Sequence, residues 1–91
     1  MGIDKKYIKE LYEALLKLNS VSECEAFMGD LCTPQEIEKM AQRVAAAKCL
    51  MKGETYEAVI KKTEISSATL SRVSKSLKYG NGYKKVLKDE N

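Results

Sequence analysis

The 91-residue chain has no histidine and no tryptophan, one proline, one phenylalanine and three cysteines. Without histidine, neither a histidine-based triad nor a histidine-ligated metal site can be built. Cys24, Cys32 and Cys49 are odd in number and lack metal-ligand spacing, so they read as free thiols. No glycine-rich phosphate loop follows a strand. Carboxylate pairs such as Glu23/Glu25 and Glu36/Glu38 stand two residues apart and diverge on a helix. Enzyme chemistry is therefore not expected. No apolar run approaches the ~20 residues needed to span a bilayer, and no signal-peptide pattern opens the sequence. A cytoplasmic protein without a membrane partner is expected.

What is present is helix-forming sequence and an uneven distribution of charge. With one proline and five glycines, long helices are permitted. Residues 1–32 carry four lysines against six acids, a net −2. Residues 61–88 carry eight cations against one acid, Glu64, a net +7. A local excess of this size favours a polyanion as partner. Ninety-one residues make one small domain, 1–91, with a limited core that a partner chain would help to stabilise.

The apolar residues follow helical spacing. Residues 3–18 carry Tyr7, Ile8, Leu11, Tyr12 and Leu15, a stripe wide enough that the rest of the chain or a second subunit must cover it. Asn19-Ser20 breaks that pattern. A second helix is expected from about Val21 to Met28, capped by Ser20 or Ser22 and ended by Gly29-Asp30. Thr33-Pro34-Gln35-Glu36 is a helix start: Thr33 at the N-cap, Pro34 at the first helical position and Glu36 closing a capping box. This third helix runs for about five turns to Met51, with Gly53 as its C′ residue. Tyr79-Gly80-Asn81-Gly82-Tyr83 reads as a turn, and Tyr83, Val86 and Leu87 suggest a last short helix. The closing Asp-Glu-Asn is expected to fray. The count is six helices and no strand.

Residues 55–78 carry the pattern that gives the chain a function. Thr55 caps one short helix whose apolar side is Ala58, Val59 and Ile60, and Ser66 caps another. Leu70, Val73 and Leu77 form one stripe on the second helix. Ser67, Ala68, Thr69, Ser71, Arg72 and Lys75 are left outside. Small side chains permit close approach to a duplex, hydroxyls can bond base edges, and arginine can grip guanine or phosphate. This reads as a helix-turn-helix with Ser67, Ala68, Thr69 and Ser71 at base edges and the cap residue Ser66 beside them in the DNA-binding set. Arg72, Lys75, Lys61 and Lys62 hold phosphates, and Thr55 and Tyr56 add contacts from the first helix. Many such units have glycine where Glu64 stands. A non-glycine residue in a left-handed conformation costs ~1–2 kcal/mol, so a turn of another type, or one residue shorter, is expected.

Four blocks in order, Leu31-Cys32-Thr33-Pro34-Gln35-Glu36, Gln42-Arg43-Val44, Leu50-Met51-Lys52-Gly53-Glu54 and Ser67-Ala68-Thr69-Leu70-Ser71-Arg72 with Ser76-Leu77-Lys78, resemble the tryptophan repressor superfamily. The likeness spans roughly residues 7 to 88 and is strongest to the short TrpR-related, YerC/YecD-type branch, which shares the Tyr-Gly-Asn-Gly turn. It implies an all-α, six-helix TrpR-like fold, intertwined as a homodimer. It also implies two recognition helices one DNA turn apart, ~34 Å, on a pseudo-palindromic operator, a spacing that belongs to the family.

The resemblance further implies a co-repressor pocket, in which Thr33, Arg43, Arg72 and Ser76 would surround a bound tryptophan. One position departs. The family has glycine after the second arginine, and this chain has Val73, whose branched side chain would fill space that the indole needs at a cost of ~1–3 kcal/mol. No cofactor is therefore expected. The other reading makes Thr33 simply a cap, and Arg43 and Arg72 surface or phosphate contacts.

The sequence thus points to a sequence-specific DNA-binding transcriptional regulator, a repressor acting as a homodimer on double-stranded DNA. A small basic helical dimer that binds protein or RNA is the alternative, and a ligand sensor without its own operator is a third reading.

Overall fold

Helix is the only regular structure among residues 2–88, which the computed structural model describes. The six helices are α1 (Lys5–Leu15), α2 (Val21–Leu31), α3 (Pro34–Met51), α4 (Tyr56–Thr63), α5 (Ser67–Tyr79) and α6 (Gly82–Leu87). The chain divides into two compact units, one up to Pro34 and one from Gln35 onward.

In the first unit, caps set the starts of the helices. Asp4 accepts a hydrogen bond from the Lys6 amide at 2.9 Å, and Ser20 accepts from the Glu23 amide at 3.0 Å. Glu23 answers by accepting from the Asn19 amide at 2.7 Å, so each residue satisfies a donor that the helix end leaves open. Gly29-Asp30 does not end α2. The helix continues to Leu31, and the Cys32 amide still donates to the Met28 carbonyl. A glycine inside a helix costs ~1 kcal/mol, and α2 carries it for two further residues. Neither α1 nor α2 contains a buried residue. Tyr7 is 53% exposed and Tyr12 60% exposed, so the apolar stripe of α1 remains open.

The second unit holds the core. Ala46 and Ala47 of α3, Val59 of α4, Ile65 of the turn, and Leu70 and Val73 of α5 are buried together. Ile60, Leu77, Tyr83 and Leu87 pack around them. Helix α3 ends as its sequence dictates. Gly53 takes φ 87°, the Gly53 amide donates to Leu50 O at 2.9 Å, and the Glu54 amide donates to Cys49 O at 3.2 Å. Those two bonds make a Schellman ending, in which glycine avoids the left-handed penalty. The predicted 79–83 turn is narrower: α5 reaches Tyr79 and α6 begins at Gly82. The expected fraying of Asp89, Glu90 and Asn91 lies outside the described residues. Among the described residues no helix is long and apolar enough to cross a membrane.

A candidate nucleic-acid interface

The interface is built on α4, its turn and α5. Thr55 Oγ1 accepts from the Ala58 amide at 3.2 Å and starts α4. Glu57 in its first turn and Lys61 and Lys62 in its last complement the helix dipole. The turn between α4 and α5 is not of another type and is not shortened. Glu64 takes φ 62° and ψ 20°, the left-handed geometry that glycine usually supplies. Neighbouring bonds support it: the Glu64 amide donates to Ile60 O at 2.8 Å, Thr63 Oγ1 donates to Val59 O at 2.8 Å, and Gln42 Nε2 of α3 donates to Thr63 O at 3.1 Å. Burial of Ile65 directly after Glu64 also anchors the turn.

Ser66 starts α5 by accepting from the Thr69 amide at 3.1 Å, while its hydroxyl donates to Thr69 Oγ1 at 3.0 Å. Leu70 and Val73 point into the core, which fixes the rotation of the helix. Ser67, Ala68, Ser71, Arg72 and Lys75 are exposed. Thr69 is only half-buried on the flank, and its hydroxyl is already engaged by Ser66. Thr55, Tyr56, Lys61 and Ser66 are exposed as well. Lys62 is exposed but paired, since its ammonium lies 3.0 Å from Glu54. The hydrogen bond from Lys62 holds the Glu54 carboxyl below the usual carboxylate range against the opposing effect of burial, and the Lys62 charge, the Cys49 thiol and the Lys52 charge add to it. The same bond raises the Lys62 ammonium above its ordinary value.

Arg43, Arg72 and Ser76 come together. With Thr69 and Tyr83 they line a cavity of about 350 Å³. Thr33 belongs to the first unit. Val73 is not among the lining residues. It is 2% exposed, turned towards Leu70 and Val59 in the core. One residue past Arg72 lies ~100° further round the helix, which explains the difference. Beside this cavity, Arg72, Lys75, Ser76, Val44, Tyr79, Tyr83 and Val86 contribute to an open groove of about 940 Å³. Sequence reasoning missed Tyr83 as a wall of both, although the Gly80-Asn81-Gly82 reversal that folds it back onto α5 was visible. It missed Glu54 too, whose partner lies eight residues on.

The first matched block spans the end of α2 and the start of α3, and the other three fall on α3, the α3–α4 connection and α5. A family model for the Trp repressor protein matches residues 6–91. The chain belongs to the Trp repressor family. It is similar to YerC of Bacillus subtilis (strain 168), an uncharacterized protein, at 43% identity over 84 residues, covering 89% of this chain and 81% of YerC. Two crystal structures share the fold of this Trp repressor family member. A TrpR-like protein from Eubacterium eligens ATCC 27750 superposes with TM-score 0.85 at 40% identity, covering 89% of this chain and 84% of the other. A candidate Trp repressor from Staphylococcus aureus superposes with TM-score 0.86 at 38% identity, covering 96% and 91%. Family and fold make the chain a TrpR-like regulator and not an enzyme.

Proposed function

We propose that the chain, read as a single TrpR-like domain over 1–91, is a transcriptional repressor that binds a pseudo-palindromic DNA operator as a homodimer. The observation that carries the reading is the outward face of α5. Ser67, Ala68, Ser71, Arg72 and Lys75 are exposed on a helix without an acidic residue, while Leu70 and Val73 lock its rotation from behind. In this reading Ser67, Ala68 and Ser71 meet base edges. Arg72, Lys75 and Lys61 meet phosphates, and Thr55 and Tyr56 add contacts from the start of α4. Thr69 stands at the edge of this set and helps to hold the first turn of α5. The homodimer is supported by α1, whose tyrosines and leucines are exposed among the described residues. Apolar surface of this extent favours association.

No co-repressor is part of this reading. Tyr83 already lines the space beside Arg43 and Arg72. A thermal melt with L-tryptophan is expected to be unchanged, and a shift of several degrees would reinstate the family's ligand pocket.

The deciding experiment is a mobility shift with random duplex DNA at low salt, run against single-stranded RNA, followed by selection of bound sequences. Lys75→Ala should weaken binding evenly across sequences and reduce the salt slope by about one. Preference for the RNA would favour an RNA-binding module. Binding to neither, or binding that salt does not affect, would sink the DNA reading.

A further inference from the structure

Two adjacent lysines near the end of α4 have different surroundings. Lys62 Nζ donates to both carboxylate oxygens of Glu54, at 3.0 Å each. Lys61 is exposed and has no ion-pair partner among the described residues. Glu54 is the anchored member of the pair. Its amide is held by Cys49 O in the Schellman ending of α3, and its side chain is 24% exposed against 58% for Lys62. Lys62 is the flexible arm, and it lies back along α4 from Thr63 towards Thr55.

We propose that Glu54 neutralises Lys62 and removes it from the cations available to DNA phosphate, so that α4 grips the duplex through Lys61 alone. This rests on the DNA reading above. Counterion release follows net charge brought to the duplex. A lysine that leaves a carboxylate to reach a phosphate uncovers an anion on the same surface, and the net gain disappears. A lysine free of partners brings its whole charge. Glu54 therefore sets the strength of the sequence-independent grip without touching a base.

The test uses the full chain and a random-sequence duplex, with binding measured between about 50 and 200 mM KCl. Three variants separate the cases: Lys61→Ala, Glu54→Gln, and Glu54→Gln combined with Lys62→Ala. Each phosphate contact contributes about 0.9 to the slope of log K against log salt, about a 3.5-fold difference in affinity loss over this range. Lys61→Ala is expected to lower the slope by that amount per bound protomer. Glu54→Gln frees Lys62 and should raise it by the same amount. The double variant, which removes both charges, should match the wild type. A double variant whose slope falls as far as that of Lys61→Ala would overturn the proposal, because Lys62 would then be a working contact. So would a Glu54→Gln slope that does not rise. Absence of duplex binding by the wild type would remove the DNA reading together with this one, whereas normal wild-type binding with either of those two outcomes removes only this one.

Discussion

Gln42 and Thr63 are 21 residues apart in sequence, yet the Gln42 side-chain amide donates to the Thr63 carbonyl at 3.1 Å. The carbonyl belongs to the last residue of α4, one of the groups that a helix end leaves without an internal partner. One side chain of the long helix thus secures the joint of the helix-turn-helix. Gln42→Ala should lower stability by about 1 kcal/mol, the net value of one hydrogen bond. For a domain of this size that is a fall in Tm of about 4–8 °C, readable by circular dichroism. Hydrogen exchange at Glu64 and Ile65 should accelerate more than at Leu70, because the bond is local to the turn.

Glu64 is the one non-glycine residue at positive φ among the described residues. Glu64→Gly should stabilise the fold by about 1 kcal/mol, the left-handed penalty less the extra freedom glycine gives the unfolded chain. Urea unfolding checks this. Glu64→Gln keeps the strain and removes the charge, so it should leave stability nearly unchanged. Equal stabilisation by both variants would assign the effect to charge.

Gly80 sits where α5 gives way to α6, and a Cβ built there would fall 2.9 Å from the Ser76 carbonyl oxygen. That oxygen is main chain and accepts from the Gly80 amide at 2.8 Å, so it cannot swing aside without breaking the helix end. Gly80→Ala should cost about 1–3 kcal/mol, as overpacking does. The loss should be accompanied by a change in Tyr83 fluorescence, as α6 moves off α5. An unchanged melt would show that the junction relaxes freely.

The Glu54–Lys62 pair has a defined pH window. Glu54 titrates below its ordinary 4.5, so its contribution to stability is present above that value and is lost as pH falls through the lowered pKa. Lys62 titrates above 10.5, so its share is present below that value and lost only as pH rises past the raised pKa. The stability difference between wild type and Glu54→Gln should therefore be flat around neutrality and should close in acid, as pH falls through the lowered pKa of Glu54. The gap is expected to be small, as for other surface pairs. A gap that widens in acid would contradict the geometry.

Local chemistry is legible in the order of residues and long-range pairing is not. Ser20, Pro34, Gly53, Thr55 and Ser66 act within three or four residues of themselves, and each starts or ends a helix where its side-chain chemistry says it should. The exposed set on α5 follows from the period of Leu70, Val73 and Leu77. Glu64 escapes such reading because the support for its strained backbone comes partly from Gln42, in another helix. Gly29 escapes it because a glycine lowers helix propensity without forbidding the helix, and the Cys32 amide still bonds Met28 across it. Lys62 looks like its neighbour Lys61 because nothing in the order of residues shows that Glu54 lies across from it. Thr69 stands by composition among the base readers, and nothing in the order of residues shows that its hydroxyl also accepts from Ser66.

Ala46 and Ala47 lie at the centre of the core with no exposed surface at all. A methyl group has no rotamers and no spare length, so this part of the packing can neither give way nor retract. Ala47→Val would push its added volume against the core side chains of α4 and α5, Val59, Leu70 and Val73 among them. The position of α5 is thus gauged by two of the smallest side chains in the core. On the proposed DNA reading, substitutions there would retune which duplexes are held by altering the angle of α5.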